Sequence, residues 1–256
     1  MIKTEGGART LERGLAILDA LAGAQRDMGV TELADQLGLD KSTVHRLLTT
    51  LVKRGYARRD SRTRNYALGV QALVLYDAFQ EQIGLKRICH PLLEELTALS
   101  GETSHLAVLS GMNIVFVDFI QTNQMVGVLT VVGRSEPAHC TALGKAILAL
   151  MPDRQRDELL AHAVFEAYTD RTPTTRAAVA ADLLECARRG WALDNEEFLL
   201  GVRCLSSAVR DRSGYPVAAL GISGPASRLS LERCRELGAS VHEIACRAST
   251  LLGYTP

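Results

Sequence analysis

The sequence of 256 residues is informative first for what it lacks. Lys and Arg total 29, as do Asp and Glu, so the formal net charge is zero and the whole chain is neither a basic nucleic-acid coat nor an acidic tail. No apolar run approaches the roughly 18–20 residues of a membrane-spanning helix. Behind Lys3 there is no apolar segment of the kind found in signal peptides. We therefore expect a soluble cytoplasmic protein with no membrane association.

The six cysteines are far apart, and no two form a C-x-x-C pair. This spacing excludes a zinc ribbon, a redox dithiol and a dense disulfide framework. We expect the cysteines to act mainly as small buried hydrophobic residues. The sequence also has no internal repeat and no low-complexity segment.

The neutral total conceals an uneven distribution of charge. Residues 1–66 contain 12 basic and 8 acidic residues, whereas the rest of the chain contains 17 basic and 21 acidic residues. Between residues 41 and 64 a single acid, Asp60, stands against eight basic residues: Lys41, Arg46, Lys53, Arg54, Arg58, Arg59, Arg62 and Arg64. Such a local excess is typical of a phosphate-binding surface.

The pattern around these charges predicts a helix-turn-helix. A first helix is expected after Thr10 as N-cap, with an apolar stripe formed by Leu11, Leu15, Leu18 and Ala22 and widened by Ile17 and Leu21. A short helix over residues 31–37 ends at Gly38, which suits a left-handed C-cap. The next helix begins near Asp40, a candidate N-cap. Two amphipathic helices joined by a short turn with glycine form the helix-turn-helix signature.

The second of these helices presents small polar and basic side chains at its N-terminal end. Its apolar positions form the buried face, which leaves these residues outward: Lys41, Ser42, Thr43, His45 and Arg46. Such residues can contact bases and phosphates in a major groove. Residues 56–60 and 64–68 alternate like two strands and predict a basic wing, in which Arg62 and Arg64 are candidate phosphate contacts.

The remainder predicts a second domain. A linker helix covers residues 69–86, after a DNA-binding domain of residues 1–68 and before an effector domain of residues 87–256. In the effector domain we expect strands over residues 104–109, 114–120, 125–132, 205–210 and 217–222, and helices over residues 143–150, 153–163, 176–189 and 231–252. This order indicates an α+β ligand-sensing module.

Five segments together resemble the IclR family of bacterial transcriptional regulators over essentially the whole chain. They are Thr10-Leu-Glu-Arg-Gly-Leu-Ala-Ile-Leu18, Leu39-Asp-Lys-Ser-Thr-Val-His-Arg-Leu-Leu48, Thr141-Ala-Leu-Gly-Lys-Ala146, Asp194-Asn-Glu-Glu197 with Gly201-Val-Arg-Cys204, and Ser223-Gly-Pro225. The resemblance implies a winged helix-turn-helix, a linker helix and a GAF-like α/β effector-binding domain. It also implies binding to double-stranded operator DNA, homodimers that often form tetramers, and no cofactor.

By the same resemblance, Arg13 joins Lys41, Ser42, Thr43 and Arg46 on operator DNA. The implied effector-binding residues are Met125, Ala142, Leu143, Asp194, Cys204, Gly221 and Ser223. A helix N-terminus at Ala142 suits a carboxylate, and the polar groups would orient a small organic acid. Family members that sense very small oxo-acids have a serine in place of Gly221. We therefore expect a larger pocket and a bulkier effector, an aromatic or branched carboxylate.

Two alternatives assign a different chemistry to residues of the second domain. Cys204 could be the nucleophile of a cysteine hydrolase with an appended DNA-binding domain, with His139 as base and Asp194 as orienting acid. A metal could be held by His105, His139, Cys140 and Glu196, although none of the usual ligand spacings is present. Gly144-Lys145 resembles part of a phosphate loop but lacks its full motif. The sequence favours a regulator with neither catalytic nor metal-binding residues.

Overall fold

A computed structural model describes residues 5–24 and 26–255, except the side chains of residues 5–8, 77 and 79–83. The chain divides into two compact units, residues 1–83 and 84–256. Within the described residues, no helix is both long and apolar enough to cross a bilayer.

The first unit is a winged helix-turn-helix followed by a helix. Its elements are α1 (Glu5–Ala24), α2 (Val30–Leu37), α3 (Lys41–Lys53), β1 (Ala57–Arg59), β2 (Tyr66–Leu68) and α4 (Gln71–Ile83). Strands β1 and β2 form an antiparallel hairpin with Ala57 opposite Leu68. An isolated bridge between Met28 and Tyr66 ties the hairpin to the segment before α2.

The turn between α2 and α3 follows the sequence prediction in one respect and departs from it in another. Gly38 has φ 61° and its N–H donates to the Ala34 carbonyl oxygen, as expected for a left-handed C-cap. Asp40 is the N-cap residue of α3, but its side chain makes no capping hydrogen bond. The predicted N-cap at Thr10 is wrong, because α1 begins at Glu5 and Thr10 lies inside it.

The core of the first unit forms where the three helices meet the hairpin. Its buried residues are Ile17, Ala20, Leu21, Met28, Leu33, Ala34, Val44, Leu47, Leu48, Ala57 and Tyr66. The buried face of α1 is therefore centred on Ile17 and Leu21. Leu11 and Leu15, which the sequence placed on the same stripe, are exposed, because they lie on the flank of this face.

The second unit is a six-stranded sheet with helices on both faces. Its elements are α5 (Leu85–Ser100), β3 (Thr103–Ser110), β4 (Asn113–Ile120), β5 (Ser135–Pro137), α6 (Ala142–Leu150), α7 (Asp153–Ala161), α8 (Arg176–Arg189), β6 (Ala192–Asn195), β7 (Val202–Arg210), β8 (Pro216–Pro225) and α9 (Leu231–Leu251). The strand order is β5-β4-β3-β8-β7-β6, and every neighbouring pair is antiparallel. Helices α6 and α8 cover one face, and α5 and α9 cover the other.

Two parts of this sheet differ from the sequence prediction. Residues 125–132 form an irregular segment instead of a strand, and Met125, Val126 and Leu129 are exposed. The three-residue β5 takes the edge position beside β4, so the apolar run has no strand to pair with. The short edge strands β5 and β6 were not predicted. Elsewhere the α+β assignment is confirmed.

Candidate nucleic-acid surface and effector cavity

Helix α3 has one buried face and one polar face. Val44, Leu47 and Leu48 are buried in the core of the first unit. The opposite face of the first turns is exposed at Lys41, Ser42, His45 and Arg46, while Thr43 is half-buried. The structure thus brings together on one surface the α3 residues that the sequence predicted to contact DNA, whereas Arg13 is half-buried on α1.

The wing is shaped by Asp60 at the start of its loop. The backbone N–H groups of Arg62 and Thr63 donate to Asp60 Oδ1 at 2.9 and 2.7 Å, and the Thr63 hydroxyl donates to the same oxygen. The Thr63 and Arg62 amides lower the pKa of the Asp60 carboxyl. Arg64 adopts φ 61°, a left-handed turn conformation. The Asp60 carboxylate therefore stabilises the loop through hydrogen bonds, while the side chains of Arg62 and Arg64 are exposed.

Not all basic residues of this region are equally available. Arg58 pairs with Asp27 at 3.1 Å, and Arg59 lies over the Tyr66 ring. Among the side chains described in the first unit, no carboxylate lies within ion-pair distance of Lys41, Arg46, Arg62 or Arg64, the charged predicted contacts on α3 and the wing. Exposed cations without an intramolecular counter-charge are the groups that phosphates can neutralise.

The second unit contains a cavity of about 290 Å³ between the sheet and the loops at its edge. Strands supply His105, Phe116, Asp194, Cys204 and Ser223, and α6 begins at its wall. The complete lining is His105, Phe116, Gly127, Val128, Leu129, Thr130, Arg134, Glu136, Thr141, Ala142, Leu143, Asp194, Phe198, Leu199, Val202, Cys204 and Ser223. Apolar side chains thus enclose a small set of polar groups, which is the usual composition of a small-molecule site.

Sheet register explains why residues distant in sequence meet in this cavity. Asp194 on β6 lies opposite Cys204 on β7, and Cys204 lies opposite Ser223 on β8. Opposed residues of antiparallel strands share a face. The Ser223 hydroxyl donates to Cys204 Sγ at 3.0 Å. Five of the seven residues predicted to bind the effector line the cavity: Ala142, Leu143, Asp194, Cys204 and Ser223.

The other two predicted effector residues do not line it. Met125 is fully exposed on the irregular segment, since that segment is not a strand. A Cβ added to Gly221 would overlap the Leu205 carbonyl oxygen and the Ser206 hydroxyl on β7. Glycine is therefore needed for the close approach of β7 and β8. The expectation that Gly221 enlarges the pocket by omitting a hydroxyl is wrong on this backbone.

The N-terminus of α6 provides polar backbone groups to the cavity. Its N-cap Thr141 accepts the Gly144 N–H through Oγ1 at 3.4 Å, and the Lys145 N–H donates to the Thr141 carbonyl oxygen. Ala142 and Leu143, the first residues of the helix, line the cavity. The free N–H groups and the dipole at a helix start favour an anion, above all a carboxylate.

Asp194 is a buried carboxyl in this wall. Its Oδ1 accepts the backbone N–H groups of Glu197 at 2.7 Å and of Phe198 at 3.4 Å. Burial, reinforced by the charge of Glu197, raises the pKa of Asp194 to about 7. Burial also raises the pKa of the Cys204 thiol well above its ordinary value, and Asp194 adds to that shift. Near neutral pH the cavity therefore holds a protonated thiol and a carboxyl that can carry a proton.

Lys145, two residues into α6 from the cavity wall, is fully buried. Its Nζ lies 2.7 Å from both carboxylate oxygens of Glu197, 2.5 Å from Asp182 Oδ2 and 2.5 Å from the Leu193 carbonyl oxygen. The ammonium is thus committed to protein partners. Gly144-Lys145 has a structural role and is not a phosphate loop.

The cavity residues that the sequence did not assign to the effector include His105, Phe116, Thr130, Arg134 and Glu136. The charged groups of Arg134 and Glu136 lie 3.0 Å apart. His105 is 2% exposed and packs edge-on against Phe116 with ring centroids 5.4 Å apart. Within the described part of the chain, neither His105 ring nitrogen nor Thr130 Oγ1 has a hydrogen-bond partner. His105 on β3 lies opposite Gly221 on β8. This pairing would have placed His105 near the predicted effector residues, but the sequence does not reveal that β3 and β8 are neighbours.

The residues of the hydrolase alternative do not assemble. His139 Nε2 lies 3.1 Å from the Glu166 carbonyl oxygen, and His139 is not among the residues that line the cavity with Cys204. A thiol whose pKa is raised is a poor nucleophile. For the metal alternative, Glu196 pairs with Arg171 and Arg203. Among the described residues, no three His, Cys, Asp or Glu side chains cluster as metal ligands.

A winged helix with an exposed basic tip, joined to an α/β unit with a small-molecule cavity, defines a ligand-responsive DNA-binding regulator. The model of the IclR helix-turn-helix domain matches residues 10–61, and that of the C-terminal domain of bacterial IclR transcriptional regulators matches residues 77–250. The chain belongs to the IclR family, as the resemblance implied, and it is a DNA-binding transcriptional regulator with an effector-binding C-terminal domain, not an enzyme.

Relatives and solved structures agree with this assignment. The acetate operon repressor of Salmonella typhimurium is 36% identical over 252 residues, covering 98% of this chain and 92% of the repressor. The crystal structure of Thermotoga maritima IclR has a TM-score of 0.73 at 28% identity, with coverage of 96% and 100%. An IclR homolog from Microbacterium hydrocarbonoxydans complexed with 4-hydroxybenzoate shares the fold, with a TM-score of 0.79 at 20% identity and coverage of 95% and 98%.

Proposed function

We propose that the protein binds a specific double-stranded operator through α3 and the wing. The observation that carries this proposal is the set of exposed cations without a described counter-charge: Lys41, Arg46, Arg62 and Arg64. The tip of α3 enters the major groove, where Arg46, Ser42, His45 and Thr43 reach base edges and phosphates. The wing arginines contact the backbone or minor groove, and Arg13 contributes from α1. Because bacterial operators lie in the cytoplasm, the regulator acts there.

The proposed effector is a small organic acid. Its carboxylate accepts the free N–H groups of Ala142 and Leu143 at the start of α6, and Asp194, Cys204 and Ser223 orient the remainder. A cavity of about 290 Å³ is roughly twice the ~150 Å³ that accommodates benzene. This volume supports an acid larger than a two-carbon oxo-acid, with an aromatic or branched body packed against Phe116, Leu143 and Phe198.

We further propose that the working unit is a homodimer that can pair into a tetramer. Support comes from apolar side chains left exposed on α1, on α4 and at the residue before α4: Leu11, Leu15, Val70, Leu73, Val74 and Leu75. Such a surface is typical of a subunit interface. A two-fold dimer presents two α3 helices to two half-sites of a palindromic operator. The dimer has a DNA-competent and a DNA-incompetent arrangement. The effector changes the affinity for DNA to the extent that it binds one arrangement more tightly than the other.

Electrophoretic mobility shift with DNA from upstream of the gene tests the DNA proposal. We expect a complex that an excess of unrelated duplex does not displace.

Thermal shift against a set of carboxylic acids of increasing size tests the effector proposal. A hit must then change the mobility shift. Equal binding to unrelated duplex would refute sequence specificity, and tight binding of glyoxylate alone would refute the proposed effector size.

A further inference from the structure

His105 and Thr130 are two buried polar residues that line the effector cavity. His105 is 2% exposed and Thr130 is 7% exposed, yet the two ring nitrogens and the hydroxyl have no hydrogen-bond partner within the described residues. They are the only described buried side-chain nitrogen or oxygen atoms in this condition. All three atoms belong to residues that line one cavity.

Unpartnered buried polar atoms oppose folding, because their hydration is lost and nothing replaces it. Elsewhere in the same domain the equivalent groups are satisfied. Thr122 is 7% exposed like Thr130, and its hydroxyl donates to the Gly101 carbonyl oxygen at 2.6 Å. His139 is 2% exposed like His105, and its Nε2 lies 3.1 Å from the Glu166 carbonyl oxygen. Among the described residues, the two with unpartnered buried polar atoms, His105 and Thr130, therefore both line the effector cavity.

We propose that His105 and Thr130 form a second recognition point for the effector, and that they bind a hydroxyl group which the effector carries in addition to its carboxylate. This inference rests on the proposed function, because it assumes that the cavity binds a carboxylic acid at α6. It assigns the effector to the hydroxylated carboxylic acids.

The chemistry of the two side chains favours a hydroxyl over a second charge. Burial lowers the pKa of His105 to about 3, so the imidazole is neutral at pH 7 and has one donor and one acceptor nitrogen. The Thr130 hydroxyl can also donate and accept. A ligand hydroxyl supplies both roles in one group. A second carboxylate could only accept, and burying it beside Phe116 would be costly, because Arg134 in the cavity lining is already paired with Glu136 at 3.0 Å.

The first experiment measures thermal stability of the full-length protein without ligand. Thr130→Val removes an unpartnered hydroxyl and should raise the melting temperature, whereas the matched Thr122→Val removes a bonded one and should lower it. His105→Leu and His139→Leu form a second pair with the same expected order. If Thr130→Val and His105→Leu destabilise the protein as much as their controls do, these groups already have partners and the inference is overturned.

The second experiment measures ligand affinity by calorimetry with paired probes that differ by one hydroxyl. The pairs are benzoate with 3- and 4-hydroxybenzoate, phenylacetate with its 3- and 4-hydroxy derivatives, and hexanoate with 6-hydroxyhexanoate. For at least one pair we expect the hydroxylated acid to bind the wild type about tenfold more tightly or better. Thr130→Val or His105→Leu should reduce the ratio of the two affinities to about twofold or less.

The outcomes separate this inference from the proposed function. Acids that bind equally well with and without the hydroxyl, or a hydroxyl preference that survives both substitutions, would overturn the inference and leave the carboxylate site intact. If no carboxylic acid of any kind binds, the proposed effector site and the inference built on it both fail.

Discussion

Lys145 and Glu197 form a buried ion pair, with Nζ 2.7 Å from each carboxylate oxygen. The pair joins α6, whose start forms the proposed carboxylate site, to the segment that follows Asp194 of β6 and contributes Phe198 to the cavity. Burial alone would lower the pKa of Lys145, but Glu197 and Asp182 outweigh it and raise that pKa. The ammonium is therefore charged at neutral pH and fixes the spacing of two cavity walls.

Lys145→Met should lower the free energy of unfolding of the second unit by about 3–5 kcal/mol, because it leaves the buried Glu197 carboxylate without its cation. Urea denaturation followed by circular dichroism measures this change. Arg154→Ala is a suitable control, since Arg154 forms an exposed i,i+4 pair with Glu158 and its loss should have an effect close to zero. A small effect of Lys145→Met would show that the pair does not support the cavity.

Stability should depend on the protonation of Asp194. Its pKa is raised from an ordinary 3.8 to about 7, so between these values the folded state holds a proton that the unfolded chain has released. The free energy of unfolding must then fall as pH rises through this window, and level off above it. In Asp194→Asn this contribution is absent. Urea midpoints from pH 5 to 8 should decline less in the variant, and parallel profiles would contradict the raised pKa.

Arg46→Ala should weaken specific operator binding by roughly 1–3 kcal/mol, which is about 5- to 150-fold, because it removes a base contact from α3. Fluorescence anisotropy with labelled operator measures the affinity. Arg233→Ala serves as control, since Arg233 pairs with Glu236 on α9 in the other unit. If the two variants bind equally well, Arg46 does not contact a base.

Arg62→Ala should act differently, because a phosphate contact carries no sequence information. We expect weaker binding to specific and unrelated duplex alike, and a plot of log affinity against log salt whose slope is smaller by about one. A loss confined to the specific operator would mean that the wing reads bases.

Gly221→Ser should destabilise the second unit by about 1–3 kcal/mol or more, because its Cβ overlaps the backbone of β7 and strands β7 and β8 must separate. Thermal denaturation tests this prediction. A variant as stable as the wild type would show that this backbone adjusts easily, and the pocket could then contain a serine here.

The sequence predicted the first unit well because its signals are local. Gly38 ends one helix, the apolar spacing of Val44, Leu47 and Leu48 defines the buried face of the next, and both were confirmed. Leu11 and Leu15 were misassigned because helical periodicity does not reveal which part of a wide apolar stripe meets the core. Their exposure is decided by the tertiary packing of α1.

In the second unit, the success of the sequence predictions depended on how strands distant in the sequence pair in the sheet. The positions of Ala142, Asp194, Cys204 and Ser223 in the cavity followed from family motifs, not from periodicity. His105 was missed because its place beside Gly221 is a property of the β3–β8 register, which no local pattern encodes. Residues 125–132 form an apolar, valine-rich run typical of a strand, but a strand also needs an unoccupied neighbour, and β5 holds that position beside β4.

The most direct test of this account is a competition measurement on the intact protein. Labelled duplex from upstream of the gene is bound at several salt concentrations, and unlabelled copies of the same duplex or of an unrelated one are added while anisotropy is recorded. The account predicts displacement by the same duplex at concentrations at least about a thousandfold lower than by the unrelated one. Equal displacement by both would contradict specific recognition by α3 and the wing.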